Sequence, residues 1–270
     1  MFPDIHAEIG VQARRAANWL LLATAIALTV TFAYVIPYAG YKGATEGPGS
    51  DLTPMLTGNF AGSAIGGMPA FIGALALIHG VLIAGSDYAW DVWKTILVQQ
   101  PSRIRVFLAK VVTAALGCLV LVVVLFAVSA AASLAVTTAE GGAVAWPAAS
   151  GVAEGLGAAW LITSMWALLG VFLAVALRAV ALPVGIGLVW MLAVQNLISG
   201  LAAPLLDWVD ALQAWLPGGA AGSLAASLGA REDTPAVAEL TGPAQASLVL
   251  TAYLLVFAIA AGFLLRRRDL

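Results

Sequence analysis

The chain has 270 residues, of which 62% are hydrophobic and 10% charged, and its mean hydropathy of +0.99 lies far outside the range of soluble globular proteins. This composition predicts an all-α integral membrane protein. The net charge is −2, and the sequence contains no block of like charge, which argues against a nucleic-acid partner. The single cysteine, Cys118, excludes a disulfide framework within the chain and a cysteine-ligated metal site.

Residues 1–18 predict a short amphipathic helix lying at the membrane surface. The apolar side chains of Phe2, Ile5, Ile9 and Ala13 recur there at helical spacing, between charged residues. A secretory signal is the competing interpretation. It is disfavoured because acidic residues precede the basic ones and no cleavage site closes the next apolar run.

Six apolar runs are each long enough to cross about 30 Å of hydrocarbon as a helix. They cover residues of about 19–38, 63–84, 102–137, 152–177, 181–200 and 244–265. The third run contains no proline, so we expect a long helix that protrudes from the membrane. Pro183, with two glycines close behind it, predicts that the inner half of the fifth span is bent or loosely packed. We interpret residues 1–270 as one transmembrane domain.

The segment between the second and third spans, residues 86–101, is the one long charged stretch between two apolar runs. As a helix, Tyr88–Gln99 would carry Trp93 at the centre of an apolar face and Trp90 at its margin. The charged face would carry Asp87, Asp91 and Lys94. Such a helix either docks on a partner protein or rests on the membrane with its tryptophans as anchors.

Three residues delimit this segment. Ser86 is the predicted N-cap of the helix, and Pro101 prevents the helix from running on unbroken. Arg103 then opens the third span on the side of the membrane where basic residues collect.

Basic residues are distributed unevenly over this scheme, with ten of the 12 on one side of the membrane. They are Arg14, Arg15, Lys94, Arg103, Arg105, Lys110, Arg178, Arg266, Arg267 and Arg268, against Lys42 and Arg231 on the other side. Because basic residues are enriched in cytoplasmic loops, this asymmetry predicts that both termini and residues 86–101 are cytoplasmic. An even number of spans is then required, in agreement with six.

Residues 201–243, between the fifth and sixth spans, are too many for a plain turn and too apolar for a solvated loop. We expect them to fold back as a pair of short re-entrant helices on the external side. Trp208, Leu212 and Trp215 share one face of the first helix, which Pro217 and Gly218 then break. The pair either gates an external exit or forms an interfacial hairpin anchored by its tryptophans.

The chain lacks the usual signatures of catalysis. It has neither a phosphate-binding loop nor a His-Glu-x-x-His motif, so we expect no ATP site, metal site or catalytic residue. His79, within the second span, is either a proton relay or, as we favour, bonded to a neighbouring helix. Gln195 and Asn196 line a pathway or, as we favour, join helices. Apart from Glu154 near one membrane face, the spans lack the carboxylates typical of ion-coupled carriers.

The layout resembles the permease subunits of type-2 ABC exporters over nearly the whole chain. Asp87-Tyr88-Ala89-Trp90, Gln100-Pro101-Ser102-Arg103 and Ala109-Lys110 are similar to the family's coupling helix and its entry into the third span. The N-terminal helix with Glu8 resembles the family's connecting helix, and Leu216-Pro217-Gly218 resembles the break between its re-entrant helices. One departure is Gly85-Ser86-Asp87, where many members carry a glutamate, so that Asp87 or Asp91 would supply the acidic group.

The resemblance implies a permease in the plasma (inner) membrane of a prokaryote, paired with a second permease copy or paralogue and seated on two separate ABC ATPase subunits. ATP and Mg would bind those ATPases, and the chain itself would hold no cofactor. The exported substrate would be a lipid, a drug or a similar hydrophobic or amphipathic molecule. The alternatives are a secondary transporter without an ATPase and a membrane-anchored subunit with no transport role.

The residue patterns and the resemblance together give three sets of candidate site residues. ATPase coupling falls to Asp87, Trp90, Asp91, Trp93, Lys94, Pro101 and Arg103, the external gate to Trp208, Leu212, Trp215 and Pro217, and a candidate pathway to His79, Gln195 and Asn196.

Topology can be tested by cysteine labelling in a Cys118→Ser background. We expect Lys94→Cys and Arg268→Cys to be protected from an impermeant thiol reagent in intact cells, and Lys42→Cys and Arg231→Cys to react. Reaction of Lys94→Cys in intact cells would overturn the predicted orientation.

Overall fold

The structure, a computed structural model, describes residues 2–43, 51–89, 102–199, 205–231 and 233–267. Within these ranges the regular structure is helical and contains no β-strand, so the predicted all-α class is confirmed for the described residues. The helices are α1 (Phe2–Arg14), α2 (Ala16–Gly43), α3 (Thr57–Ala89), α4 (Arg103–Ala139), α5 (Ala149–Leu177), α6 (Ala181–Leu197), α7 (Asp207–Gln213), α8 (Pro217–Ala226) and α9 (Pro243–Arg267).

Five of these helices, α2, α3, α4, α5 and α9, are long and apolar enough to cross a membrane. Each lies on a predicted span, and together they indicate a multi-pass membrane protein. The sixth apolar helix, α6, lies where the fifth span is predicted but is shorter than the others. The count of six crossings therefore stays a prediction.

The second predicted span continues past its expected end at Ala84. Gly73–Ala89 is helical without interruption, so Ser86 is not an N-cap; its hydroxyl donates a hydrogen bond to the Leu82 carbonyl of the preceding turn. The polar residues Ser86 and Asp87 were predicted to lie beyond the end of the helix. They continue the helix because they have partners inside the protein, Ser86 with Arg15 and Asp87 with Lys110.

An irregularity is present in α6, but it lies in the middle of the helix rather than in the half that was predicted. Pro183 lies in the first turn of a regular helical stretch, Ala181–Leu188, where a missing backbone N–H costs no helical hydrogen bond. Val189–Val194 instead adopts the wider π-helical winding. The inner half is thus regular rather than bent, and the alternative of loose packing there stays a prediction.

The re-entrant segment also differs in detail from its prediction. Pro217 and Gly218 do not break a helix; Pro217 is the first residue of α8, a position that suits proline, and Gly218 follows within the helix. The interruption falls earlier, between the end of α7 at Gln213 and Leu216.

Packing of α3 against α5 forms the centre of the bundle, and α9 covers another side of α5. The two central backbones touch at glycines. A Cβ on Gly80 would lie 1.9 Å from the Ala167 carbonyl oxygen, and one on Gly170 would lie 2.2 Å from that of Leu77. Such close approach without a side chain is a common basis of helix association in membranes.

These contacts predict a sharp difference between two glycines of α5. Gly170→Ala should lower the thermal unfolding temperature, because its methyl group meets backbone that cannot rotate away; overpacking of this kind costs about 1–3 kcal/mol. Gly157→Ala, on the same helix with open space around it, should be neutral or stabilising. Thermal unfolding of the purified variants in detergent measures both, and equal midpoints would contradict the close backbone contact between α3 and α5.

Candidate functional site

A buried lysine joins three helices at one end of the bundle. The predicted coupling segment lies between two of these helices, α3 and α4. The Nζ atom of Lys110 on α4 lies 2.6 Å from Asp87 Oδ2 on α3 and 3.2 Å from Glu8 Oε2 on α1. It also donates to the Ile83 carbonyl oxygen at 3.2 Å. We call Glu8, Asp87 and Lys110 the lysine junction.

Burial explains why these three groups must meet. Lys110 is 2% exposed and Asp87 7%, and a charge removed from water is tolerated only when it is paired. Asp87 also lies in the last turn of α3, where the helix dipole disfavours a carboxylate, so the ammonium group offsets two costs at once. Glu8 is oriented in turn by Gln12, whose Nε2 donates to its Oε1 at 2.8 Å.

Further polar contacts fasten the N-terminal helix beside the junction. Arg15, between α1 and α2, donates from Nη1 to the Leu82 carbonyl oxygen at 2.9 Å and to Ser86 Oγ at 2.6 Å on α3. Arg105 near the start of α4 pairs with Asp4 of α1 at 3.1 Å. The chain on either side of residues 90–101 is therefore tied together, and both flanks are tied to α1.

The structure places only part of the predicted coupling set. Trp90, Asp91, Trp93, Lys94 and Pro101 lie outside the described residues, and with them most of the predicted helix Tyr88–Gln99.

Two members of the set are described. Arg103 begins α4 and is half-buried. Asp87 was expected on an exposed charged face but is buried against Lys110, so its carboxylate is engaged within the chain. The sequence did hold a signal for this pairing, since a lysine inside an apolar span requires a carboxylate close by.

A small polar cavity lies at α6, where this helix meets α7 and α8. Its volume is about 260 Å³, and we call it the amide cavity after Gln195, Asn196 and Gln213 in its wall. Gln195 is 8% exposed, and its Nε2 has no hydrogen-bond partner within the described part of the chain. A Cβ on Gly218 would lie 2.1 Å from Gln195 Oε1, so the Gln195 side chain packs directly on the backbone of α8.

The amide cavity brings together residues that were predicted separately. Gln195 and Asn196 come from the candidate pathway, and Pro217, from the candidate gate, begins the helix that covers them. We favoured a hydrogen bond from Asn196 to another helix. Its Nδ2 instead donates to the Leu192 carbonyl oxygen of its own helix at 2.6 Å. Sequence reasoning missed Gln213, which is buried on the inward face of α7.

The remaining gate residues point away from this cavity. Trp208, Leu212 and Trp215 are 66%, 46% and 54% exposed, whereas Val209 and Gln213 on the opposite face are buried. Within the protomer, the tryptophans thus do not close over the amide cavity. Of the two interpretations, an external gate and an interfacial hairpin, their outward position favours the hairpin.

His79 lies in a different part of the bundle. Its Nδ1 is 3.1 Å from Asn18 Oδ1, which gives the favoured bond to a neighbouring helix, α2. Because the Asn18 amide nitrogen donates to Gln12, its oxygen faces His79, and Nδ1 must carry the proton.

The chain matches no protein-family model and no curated protein sequence. Across the described residues, no group of three His, Cys, Asp or Glu side chains is placed to hold a metal ion. Functional assignment therefore depends on the geometry of the lysine junction and the amide cavity.

The lysine junction predicts a non-additive mutant cycle. Lys110→Met should lower stability strongly, since it leaves Asp87 buried without its partner; breaking buried pairs costs about 3–5 kcal/mol. Combining it with Asp87→Asn should recover much of the loss. Thermal unfolding in detergent measures the three variants.

Arg105→Gln is the matched control, because its ion pair with Asp4 has one exposed partner, the arginine at 55%, whereas Lys110 and Asp87 are both buried; it should therefore cost less than Lys110→Met. If Lys110→Met were tolerated as well as Arg105→Gln, the buried pairing would be wrong.

Proposed function

We propose that the chain is the membrane-spanning permease subunit of a type-2 ABC transporter and exports a hydrophobic or amphipathic substrate with ATP hydrolysed by a separate ATPase subunit. The observation that carries the proposal is the lysine junction. It joins the end of α3 to the start of α4, the two helices between which residues 90–101 lie, and joins both to the N-terminal helix.

In the proposed mechanism, closure of the ATPases pushes the helix that contains Trp90 and Trp93. Because Asp87 and Lys110 hold the flanking helices together, the push displaces α1, α3 and α4 as a unit rather than bending a loop. The 37 residues of α4 make a lever of about 55 Å at 1.5 Å per residue, which carries the displacement through the membrane.

The proposed topology has six spans, with α6 as the fifth, both termini cytoplasmic and α7–α8 as the external re-entrant pair. Contacts at each end of the bundle support this sidedness. Arg15, Arg105 and Lys110, all assigned to the cytoplasmic side by charge counting, converge on neighbouring elements.

Residues assigned to the external side also meet. Lys42 pairs with Glu140 at 2.7 Å, and the Tyr38 hydroxyl donates to the same carboxylate at 2.6 Å. The ammonium of Lys42, followed by the Tyr38 hydroxyl, lowers the pKa of Glu140 below its ordinary value. These contacts link the C-terminal ends of α2 and α4, which supports placing both ends on the same side of the membrane.

The proposed assembly contains two ABC ATPase subunits, which bind ATP and Mg, and a second permease copy or paralogue, in the plasma membrane of a prokaryote. The amide cavity suits an outer part of the substrate path, because the amide nitrogen of Gln195, which has no partner among the described residues, can donate to a passing polar group.

The alternative of a secondary transporter without an ATPase has less support. Ion-coupled carriers use carboxylates near the membrane midplane, whereas Asp87 lies in the last turn of α3 and is neutralised by Lys110.

Copurification with a candidate ABC ATPase tests the coupling role. Trp93→Ala should weaken the association about thirtyfold, because truncation of a central aromatic anchor costs about 2 kcal/mol. Asp91→Asn, a charge at the edge of the same helix, should cost less. Asp87→Asn is unsuitable as this control, since Asp87 is buried in the lysine junction. Normal ATPase binding and transport by Trp93→Ala would remove the coupling assignment.

A further inference from the structure

The N-terminus of α8 lies in the wall of the amide cavity and carries two backbone N–H groups that have no partner among the described residues. Leu216 precedes the helix and provides no side-chain cap, and Pro217 has no N–H to donate. Ala220 donates to the Leu216 carbonyl oxygen at 3.0 Å, which leaves the N–H groups of Gly218 and Gly219. The end of a buried helix normally finds partners for such donors in side chains, water or a ligand.

A second kind of unused donor lines the same cavity from α6. Gln195 is 8% exposed, and its Nε2 bonds to none of the described residues. Its side chain packs directly on Gly218, the residue that holds one of the two free backbone N–H groups. The amide of Gln195 and the end of α8 are thus neighbours in the wall, although they lie on separate helices.

Several other polar groups of the wall already have partners. The Ala238 carbonyl oxygen accepts from the Ser223 hydroxyl at 3.1 Å, and the Gln213 carbonyl oxygen accepts from the Leu216 N–H at 3.1 Å. Asn196 Nδ2 donates within α6. The donors that are left over, on α8 and on Gln195, therefore favour a ligand that accepts hydrogen bonds.

Electrostatics further favour an anion as this ligand. None of the described residues that line the cavity carries a charge. Glu239, between the lining residues Ala238 and Leu240, is exposed and lines a separate cavity. No carboxylate in the wall therefore opposes the positive end of the α8 dipole. Helix N-termini with free N–H groups bind phosphate and carboxylate groups in many proteins.

The size and position of the cavity suit a head group rather than a whole amphiphile. Its volume of about 260 Å³ lies below the roughly 300–1,000 Å³ of pockets that enclose drug-sized molecules. Asn196 and Ser199 line the cavity and are exposed. On the same helix, Leu192 and Leu197 are 38% and 60% exposed. A head group in the cavity thus has an apolar surface beside it for a hydrocarbon chain.

We propose that the amide cavity binds the carboxylate or phosphate head group of an anionic amphiphile. The head group accepts hydrogen bonds from the N–H groups of Gly218 and Gly219 and from Gln195 Nε2, and the chain lies along α6. The site narrows the exported substrate to amphiphiles with an acidic head group, and in this role it rests on the proposed function. Binding itself requires no ATPase.

Selective isotope labelling observes one of the donors directly. The pair Pro-Gly occurs twice in the chain, at Pro48-Gly49 and Pro217-Gly218. The full chain, labelled with ¹³C-proline and ¹⁵N-glycine and purified in a neutral detergent, therefore gives two amide signals in a carbonyl-filtered NMR spectrum. Gly49→Ala assigns them. Octyl phosphate and octanoate should shift the Gly218 signal saturably, whereas octanol and octyltrimethylammonium should leave it in place.

Matched variants test the side-chain donor by the same titration. Gln195→Met should weaken the binding of both anions about tenfold, because it removes a hydrogen bond to a charged group. Gln245→Met, on α9 and outside the cavity lining, should bind them as the parent does. If Gln195→Met does not elute as a single species, Gln195→Glu replaces it and should abolish the shift, since it places a like charge beside the head group.

Any of four results refutes the proposal. A Gly218 signal that octyl phosphate and octanoate leave in place excludes the end of α8 as the donor. Equal binding of octanol shows that only the chain is recognised, and equal binding of inorganic phosphate identifies a site for free anions. Equal affinities of the Gln195 and Gln245 variants remove the side-chain donor.

The titration and the ATPase assay fail independently. Loss of the Gly218 shift leaves the effect of Trp93→Ala on copurification untouched. Conversely, normal ATPase binding and transport by Trp93→Ala, together with a saturable Gly218 shift, would refute the coupling assignment and leave the anion site in place.

Discussion

The ammonium group of Lys110 is the constraint on which the arrangement of this end of the bundle depends. A lysine inside a membrane helix must find carboxylates, and the two that it finds, Asp87 and Glu8, belong to different helices. Satisfying one charge therefore positions α1 and α3 relative to α4. The contacts of Arg15 and Arg105 then add to a geometry that the buried charge already requires.

The glycine contact between α3 and α5 carries this geometry into the rest of the molecule. At Gly80 and Gly170 the backbones meet with no side chain between them, so a shift of α3 cannot be absorbed by rotamer changes. It must move α5, which also packs against α9. A displacement that begins at the lysine junction thus reaches the helices on the far side of the bundle through rigid contacts.

Helix positions were predictable from hydropathy because membrane spans are long and uniformly apolar, as α4 and α9 illustrate. The errors arose where a residue's partner lies on another element. Ser86 was predicted as a helix cap, but its hydroxyl accepts a hydrogen bond from Arg15. Gly218 was predicted to break a helix, but it lies within α8 and packs against Gln195. Periodicity identified the stripe containing Trp208 but not which side of α7 faces the protein, since both faces of a short helix at a membrane surface can be apolar.

Burial of Asp87 changes how the resemblance to type-2 ABC permeases is understood. The family's acidic group at this position would be expected to reach the ATPase, yet here the carboxylate is held by Lys110, the lysine of the similar Ala109-Lys110 pair. Two parts of the resembling pattern thus interact with each other. In the proposed mechanism the acidic contact with the ATPase then falls to Asp91, while Asp87 transmits the resulting force. Separation of the two roles follows from burial, because a carboxylate engaged by an internal ammonium cannot also pair with a partner's arginine without leaving the lysine uncompensated.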